Sequence, residues 1–171
     1  MCEPVWMKSG RNGMKKNGTA VYINLTALAS YNGGTDDPIQ FITTGTLTRP
    51  EKEHYVIRYR ESQEDEETGK MMDSDIELDL HKNRVMMTRS GDFASTMVFS
   101  RDRRFEGKYK TPYGDMDMAV DTRQLTCALG DREGTMHLKY HLNIQGSYAS
   151  TNELHLVYRT EGHSGEKNEK Q

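Results

Sequence analysis

The chain alternates apolar and polar residues with a period of two over most of its length. The stretch SDIELDLH at 74–81 shows this most clearly, because Ile76, Leu78 and Leu80 alternate with charged or imidazole side chains. Successive side chains of a β-strand point to opposite faces of the sheet. The pattern therefore predicts a strand with one buried face and one solvated face.

Similar runs follow one another along the chain and are separated by turn-forming segments such as YNGGTDDP at 31–38. The predicted strands cover residues 19–30, 39–49, 54–62, 74–81, 84–100 with a bend, 104–112, 113–122, 124–130, 135–144 and 152–160. Helix signals are weak. Roughly ten strands with short connections predict an all-β domain, either a closed barrel or a two-sheet sandwich, and the short turns favour a single antiparallel barrel of about eight to ten strands.

The apolar parity of these strands defines a candidate interior. It consists of Val21, Ile23, Leu25, Phe41, Tyr55, Ile57, Tyr59, Ile76, Leu78, Leu80, Val85, Met87, Met97, Phe99, Tyr109, Met116, Met118, Val120, Leu125, Cys127, Met136, Leu138, Tyr140, Leu142, Leu154, Leu156 and Tyr158. A barrel of about eight strands has an interior that side chains fill or that holds one small ligand. Flexible methionines suit an adaptable cavity and suit an ordinary core as well.

Arg89 interrupts this apolar pattern. It is in phase with Val85 and Met87, although a guanidinium costs several kcal/mol to bury without a partner. Three explanations fit: an anionic ligand gripped bidentately by Arg89, an internal carboxylate, or a rim position before the turn at Ser90 and Gly91. The candidate ligand-binding residues are Arg89, Tyr59, Ser95, Met97, Tyr109, Thr111 and Tyr140, and no catalytic residue is assigned.

Other motifs have simpler structural explanations. YKTPYG at 109–114 predicts a corner between strands, because proline fixes φ and glycine tolerates positive φ. In HLKYH at 137–141 the two imidazoles would be about 13 Å apart on a strand, and a register that pairs His141 with His155 would give only a two-ligand surface site. The acidic stretch 61–70 lacks the spacing of a calcium loop and predicts a solvated hairpin loop. No metal and no cofactor are expected.

Composition narrows the class of protein. The 171 residues suffice for one domain, and 23 Lys+Arg against 26 Asp+Glu give a net charge of −3, so neither nucleic acid nor an acidic membrane is expected as a partner. The sequence has no apolar run of spanning length and no secretory h-region. Cys2 and Cys127 form no CxxC pair, and Cys127 is expected to be a small buried hydrophobe. A cytoplasmic location is expected.

The pattern divides the chain into three parts. Residues 1–18 are expected to form a flexible tail, residues 19–160 the barrel, and residues 161–171 a disordered tail. Because the ordered pattern begins only after MKKNG, Met14 is an alternative to Met1 as the biological start. Mass spectrometry of the native N-terminus distinguishes the two.

Three stretches carry a resemblance to a known family: MTRSGDFASTMVF, YKTPYGDMDMAVDT and LKYHLNIQGSYASTNELHLVY. Their most specific parts are Arg-Ser-Gly at 89–91, Phe99, Tyr-x-Thr-Pro-x-Gly at 109–114, Thr122 and Asn152. Over most of the predicted barrel the chain resembles the YwiB-like family of small bacterial proteins. The resemblance implies a calycin-like β-barrel, related in architecture to lipocalins and fatty-acid-binding proteins, and a cytoplasmic setting. It implies no catalytic residues.

These observations favour a non-enzymatic module that binds a small anionic or amphipathic molecule in or at the mouth of the barrel. Fold does not fix function, so two alternatives stay open. One is an enzyme in which Arg89 polarises a carbonyl or phosphate and Tyr109 or Tyr140 acts as the acid, which requires a titratable base near Arg89. The other is a structural or protein-interaction module that works as a homodimer rather than a monomer.

Overall fold

The computed structural model describes residues 18–161; residues 1–17 and 162–171, which hold the predicted tails and Met14, lie outside this range. The described strands are β1 (Thr19–Tyr31), β2 (Gly34–Thr35), β3 (Ile39–Glu51), β4 (His54–Glu64), β5 (Met71–His81), β6 (Arg84–Gly91), β7 (Ala94–Ser100), β8 (Arg104–Thr111), β9 (Gly114–Ala128), β10 (Glu133–Ile144) and β11 (Ser147–Thr160). No helix within the described range is long and apolar enough to cross a bilayer. The all-β prediction is confirmed.

Ten of the described strands form one closed antiparallel barrel. Their order follows the chain, and β1 closes the barrel by pairing with β11, from Val21 opposite Thr160 to Ser30 opposite Thr151. The two-residue strand β2 pairs only with the end of β1. Closure pairs the edge strands that an open sheet would expose, and it decides between the barrel and the sandwich.

Two strand boundaries differ from the prediction. The predicted strands 113–122 and 124–130 are the single strand β9, whose register against β10 shifts between Lys139 and Tyr140. Such a bulge adds one residue to one strand, so Thr122 and Leu125 are both buried although their parities differ. In addition, β4 continues to Glu64, so the first residues of the acidic stretch belong to a strand and not to a loop.

The predicted interior is confirmed as the core. The side chains of Val21, Ile23, Leu138 and Tyr158 are fully buried, and the remaining predicted positions are buried or lie against this core, apart from half-buried Met116. Ile39, which has the same parity as the core residues of β3, is instead 66% exposed, because it lies where that strand begins.

The two ends of the barrel differ. At the closed end the β9–β10 loop covers the interior: Tyr55 Oη donates to Asp131 Oδ1 at 2.9 Å and Tyr158 Oη donates to Gly130 O at 2.7 Å. At the other end inward apolar side chains pack against the core but stay half-exposed. We call this set the open-end cup; it consists of Leu25, Phe41, Met87, Met97, Leu142 and Leu154.

Candidate functional site

Arg89 lies at the border of the open-end cup and forms an ion pair with Glu61. Arg89 Nη1 donates to Glu61 Oε2 at 2.6 Å, and the two side chains are 26% and 23% exposed. Glu61 shares the parity of Tyr55, Ile57 and Tyr59 on β4, so it also points inward. Of the three explanations for Arg89, the structure supports the internal carboxylate, which is Glu61 and lies near the rim.

This ion pair keeps unused hydrogen-bonding capacity. A guanidinium carries several N–H donors, and among the described residues only Glu61 accepts one of those of Arg89. The second carboxylate oxygen of Glu61 accepts none from the described residues. A further polar group can therefore bind beside the pair without breaking it.

Two tyrosines present their hydroxyls to the same region. Burial raises the pKa of Tyr140 to about 12, with Arg89 opposing the rise. Burial and the charge of Glu61 also raise the pKa of Tyr59. Neither hydroxyl has a partner among the described residues, and Thr122 Oγ1 is the one fully buried, unpartnered side-chain polar atom there. The two tyrosine hydroxyls are thus protonated at neutral pH.

Ser95 and Tyr109 continue this row of polar groups across β7 and β8. Ser95 lies opposite Arg89 on one side and opposite Tyr109 on the other. The ring of Phe93, in the β6–β7 turn, stacks on Tyr109 with centroids 6.1 Å apart. The structure therefore brings the predicted residues Arg89, Ser95 and Tyr109 together, and Met97 contributes to the wall of the open-end cup.

Thr111 has a different role from the one predicted for a ligand donor. Its hydroxyl donates to Gly114 O at 2.8 Å and accepts the backbone N–H of Tyr113 at 3.0 Å. These bonds hold the corner between β8 and β9 that the sequence predicted. The Thr111 hydroxyl is engaged there and is not part of the polar row.

A groove of about 330 Å³ opens beside Arg89, between β7 and β8. These strands pair only through Ala94 with Lys110 and Ser95 with Tyr109. Residues from both faces line the groove, including inward Arg89 and Ser95 and the outer lysines Lys108 and Lys110. The groove therefore connects the polar row with the outer surface, where Lys108 forms an ion pair with Asp117 and Lys110 lies opposite Asp115; we call it the side groove.

The histidines of β10 and β11 are paired differently from the prediction. His155 lies opposite His137, and His141 lies opposite Thr151. The physical reason is the short connection at Gln145–Gly146, which makes β11 begin earlier than predicted and sets the register. His137 Nε2 lies 2.7 Å from Glu153 Oε2, and both line an outer groove of about 490 Å³.

Sequence reasoning missed Glu61 and the side groove. The predicted strand 54–62 and the acidic stretch 61–70 both include Glu61, and the predicted interior omits it although its parity continues that of Tyr55, Ile57 and Tyr59. That parity is the signal that could have found it. The side groove depends on where the β7–β8 pairing stops, for which the sequence carries no comparable signal.

Cys127 is half-buried on β9, and burial raises the pKa of its thiol to about 11. A thiol with such a pKa is almost fully protonated at neutral pH, and the thiolate is the nucleophilic form. This agrees with the predicted role of Cys127 as a small hydrophobe.

A solved structure shows the same fold. The chain is similar to the crystal structure of the ywiB protein from Bacillus subtilis, with a TM-score of 0.71 and 18% sequence identity over 85% of this chain and 94% of that one. At this identity the likeness shows the fold alone. A protein of unknown function from Bacteroides ovatus matches with a TM-score of 0.34 and 10% identity over 84% of this chain and 42% of that one, which supports no argument. No curated protein matches the chain.

A family model extends over almost the whole barrel. It is described as a domain of unknown function, DUF1934, and it matches residues 23–156. Together with the likeness to ywiB, this match confirms the resemblance that the sequence motifs indicated. The chain belongs to the DUF1934 family of domains of unknown function.

Proposed function

We propose that this protein is a non-enzymatic binding module that takes a small amphipathic molecule with an acidic head into the open-end cup. The observation that carries the proposal is the Arg89–Glu61 pair, which has unused hydrogen-bonding capacity at the border of half-exposed apolar side chains. Small-molecule sites combine an apolar wall with a few placed polar groups in this way.

The ligand is oriented by charge and exposure. Its acid group lies beside Arg89 and Ser95, where Arg89 favours the negative charge and Glu61 opposes it. Its apolar part lies against half-exposed Met87 and Met97. Phe99 and Leu138 are fully buried and lie beneath this layer.

The enzymatic alternative gains a candidate base, but one of its two candidate acids is poorly suited to the role. Glu61 meets the requirement for a titratable base near Arg89, but Arg89 itself occupies one of its oxygens. Tyr140 has a pKa of about 12, so it donates a proton poorly at neutral pH. The binding module is therefore the better-supported function.

A homodimer is the second candidate, and the outer face of β1, β3 and β11 favours it. Tyr22, Ile42 and Val157 are 46%, 68% and 40% exposed, and Asn24 lies opposite both Ile42 and Val157 in the register. Sedimentation of the full chain distinguishes the two states, because Tyr22→Ser together with Ile42→Ser dissociates a dimer formed through this face.

We also propose a cytoplasmic location, which the free thiol of Cys127 supports.

Titration calorimetry with dodecanoate and with dodecanol tests the proposed site. Met87→Trp fills the open-end cup, and we expect it to weaken dodecanoate binding at least about tenfold, which is a loss of about 1.4 kcal/mol. Met86 is the matched control, because it precedes Met87 on β6, is also half-buried and has the opposite parity. Met86→Trp should leave binding unchanged.

The head group is tested by Arg89→Met. This change should weaken binding of the acid more than binding of the alcohol. Equal binding by the Met86→Trp and Met87→Trp proteins, or no binding of either compound by the unmodified full chain, would contradict the proposal. Native mass spectrometry of protein purified from cells then shows whether a natural ligand accompanies it.

A further inference from the structure

The outer face at the closed end of the barrel holds a second group of convergent side chains. His54 begins β4, His81 ends β5, and the two residues lie directly opposite each other. Asp79 precedes His81 by two residues, so its side chain lies on the same face. One nitrogen of each imidazole and one oxygen of the carboxylate all lie within 4.8 Å of one another.

Both imidazoles are directed at the same atom. Asp79 Oδ1 is 2.7 Å from His54 Nε2 and 3.0 Å from His81 Nε2. The two rings are stacked, with centroids 4.1 Å apart and planes 18° from parallel. One imidazole would be enough to form a hydrogen bond with Asp79. Here two imidazoles from different strands contact the same carboxylate oxygen.

We propose that His54, Asp79 and His81 form a binding site for a late first-row divalent cation, with Zn²⁺ as the ion to test. Two imidazoles and one carboxylate are a ligand set that such ions prefer and that Mg²⁺ and Ca²⁺ do not. Three protein ligands leave the remaining coordination position of a tetrahedral ion to water. This site is independent of the open-end cup, which lies at the other end of the barrel.

Zinc binding requires the three ligand atoms to move relative to one another. Ligand atoms about 2.0–2.1 Å from a tetrahedral zinc ion are about 3.3 Å apart, so the two contacts to Asp79 Oδ1 must lengthen by roughly 0.3–0.6 Å. The two imidazole nitrogens, on rings whose centroids are 4.1 Å apart, must also reach this separation. The side chains of His54, Asp79 and His81 are 17%, 22% and 38% exposed, so the site is partly shielded from water but open to an ion.

The chain offers a comparison cluster of two histidines and one carboxylate. His137, Glu153 and His155 also lie on the outer face of two paired strands. Their ring centroids are 5.9 Å apart in an edge-on arrangement, and only His137 contacts the carboxylate. Their ligand atoms do not all lie within 4.8 Å of one another, as those of His54, Asp79 and His81 do. We therefore expect weaker metal binding there.

Titration calorimetry with zinc chloride tests this site. The full chain is first treated with a chelator, its thiols are alkylated, and the titration is carried out at neutral pH. We expect one ion to bind per chain with measurable heat. His81→Ala and Asp79→Asn should each weaken binding at least about tenfold, because loss of even an outer partner of a metal ligand costs about 10–100-fold. His137→Ala should leave the affinity unchanged.

Thermal unfolding provides a second readout. Zinc should raise the unfolding temperature of the unmodified chain and of the His137→Ala protein, because an ion that binds only the folded state stabilises it. The same zinc concentration should not do so for the His81→Ala protein, whose folding is checked in the presence of chelator. Equal zinc affinity in the His81→Ala and His137→Ala proteins, or no stoichiometric binding by the unmodified chain, would overturn the proposal.

Discussion

The Arg89–Glu61 pair should contribute measurably to stability, and a double-mutant cycle isolates its contribution. The cycle compares the unmodified chain with Glu61→Gln, Arg89→Met and the double variant. At an effective dielectric constant of about 20, charges about 4 Å apart attract each other by about 4 kcal/mol. Removing about three quarters of each side chain from water offsets much of that attraction.

The net coupling should therefore lie between the values for exposed and buried pairs. Exposed pairs contribute about 0.2–1 kcal/mol, and breaking a buried pair costs about 3–5 kcal/mol. For side chains that are 26% and 23% exposed, we expect a coupling energy of about 1–2 kcal/mol. Urea unfolding of the four proteins measures it, provided that the dependence on urea concentration is the same for all.

A matched pair on the outer face provides the control. Arg60 Nε lies 3.0 Å from Asp75 Oδ1, and these side chains are 65% and 43% exposed. The cycle of Arg60→Met and Asp75→Asn should give a coupling below about 0.5 kcal/mol. A coupling near zero at Arg89, or one no larger than at Arg60, would refute the conclusion that the guanidinium is held inside the barrel by Glu61.

Four further changes test the packing of the interior, one of them a surface control. Gly134→Ala should destabilise the fold by about 2–4 kcal/mol, because its Cβ would lie 2.4 Å from the ring and the hydroxyl of Tyr158. Gly34→Ala, which meets no atom within 4 Å, should change the free energy of unfolding by less than about 0.5 kcal/mol in the same urea titration; similar losses at both positions would be inconsistent with this account. Thr122→Val should be neutral or stabilise by up to about 1 kcal/mol by removing a buried hydroxyl without a partner, and a clear loss in thermal unfolding would show that the hydroxyl is bonded. The raised pKa of Tyr140 means that the fold prefers the neutral phenol, so its contribution to stability is complete below pH 10.0 and is lost as the pH rises towards about 12. Urea unfolding over this pH range should show a smaller loss in Tyr140→Phe, and an unchanged slope would contradict the assigned pKa.

Parity along the chain predicted which side chains face the interior, because that property is local. Ile76, Leu78 and Leu80 needed only the alternation of β5 to be assigned to the core. Register is different, because it depends on where a turn begins. The two-residue connection at Gln145–Gly146 places His137 opposite His155, four residues away from the pairing that a longer loop would have given.

The two candidate sites were hard to predict for the same reason. His54 and His81 are far apart in the sequence, and only the length of the β4–β5 hairpin brings them opposite each other. The same hairpin places Glu61 opposite Ser74, on the inner face of β4. Glu61 lies where the predicted strand 54–62 overlaps the acidic stretch 61–70, so its charge argued against the inward position that its parity indicates.

Parity predicts which face a side chain points to, but not its depth along the barrel axis, and Arg89 is an example. Its strand passes from Val85, which is fully buried towards the closed end, through half-exposed Met87 to Arg89 at the border of the open-end cup. All three side chains point inward. Only Arg89 lies close enough to water for a guanidinium to have N–H donors that no group of the described residues accepts. In this barrel the charged residue in phase with an apolar strand face lies at the open end. The proposed ligand site is therefore at that end and not in the packed centre.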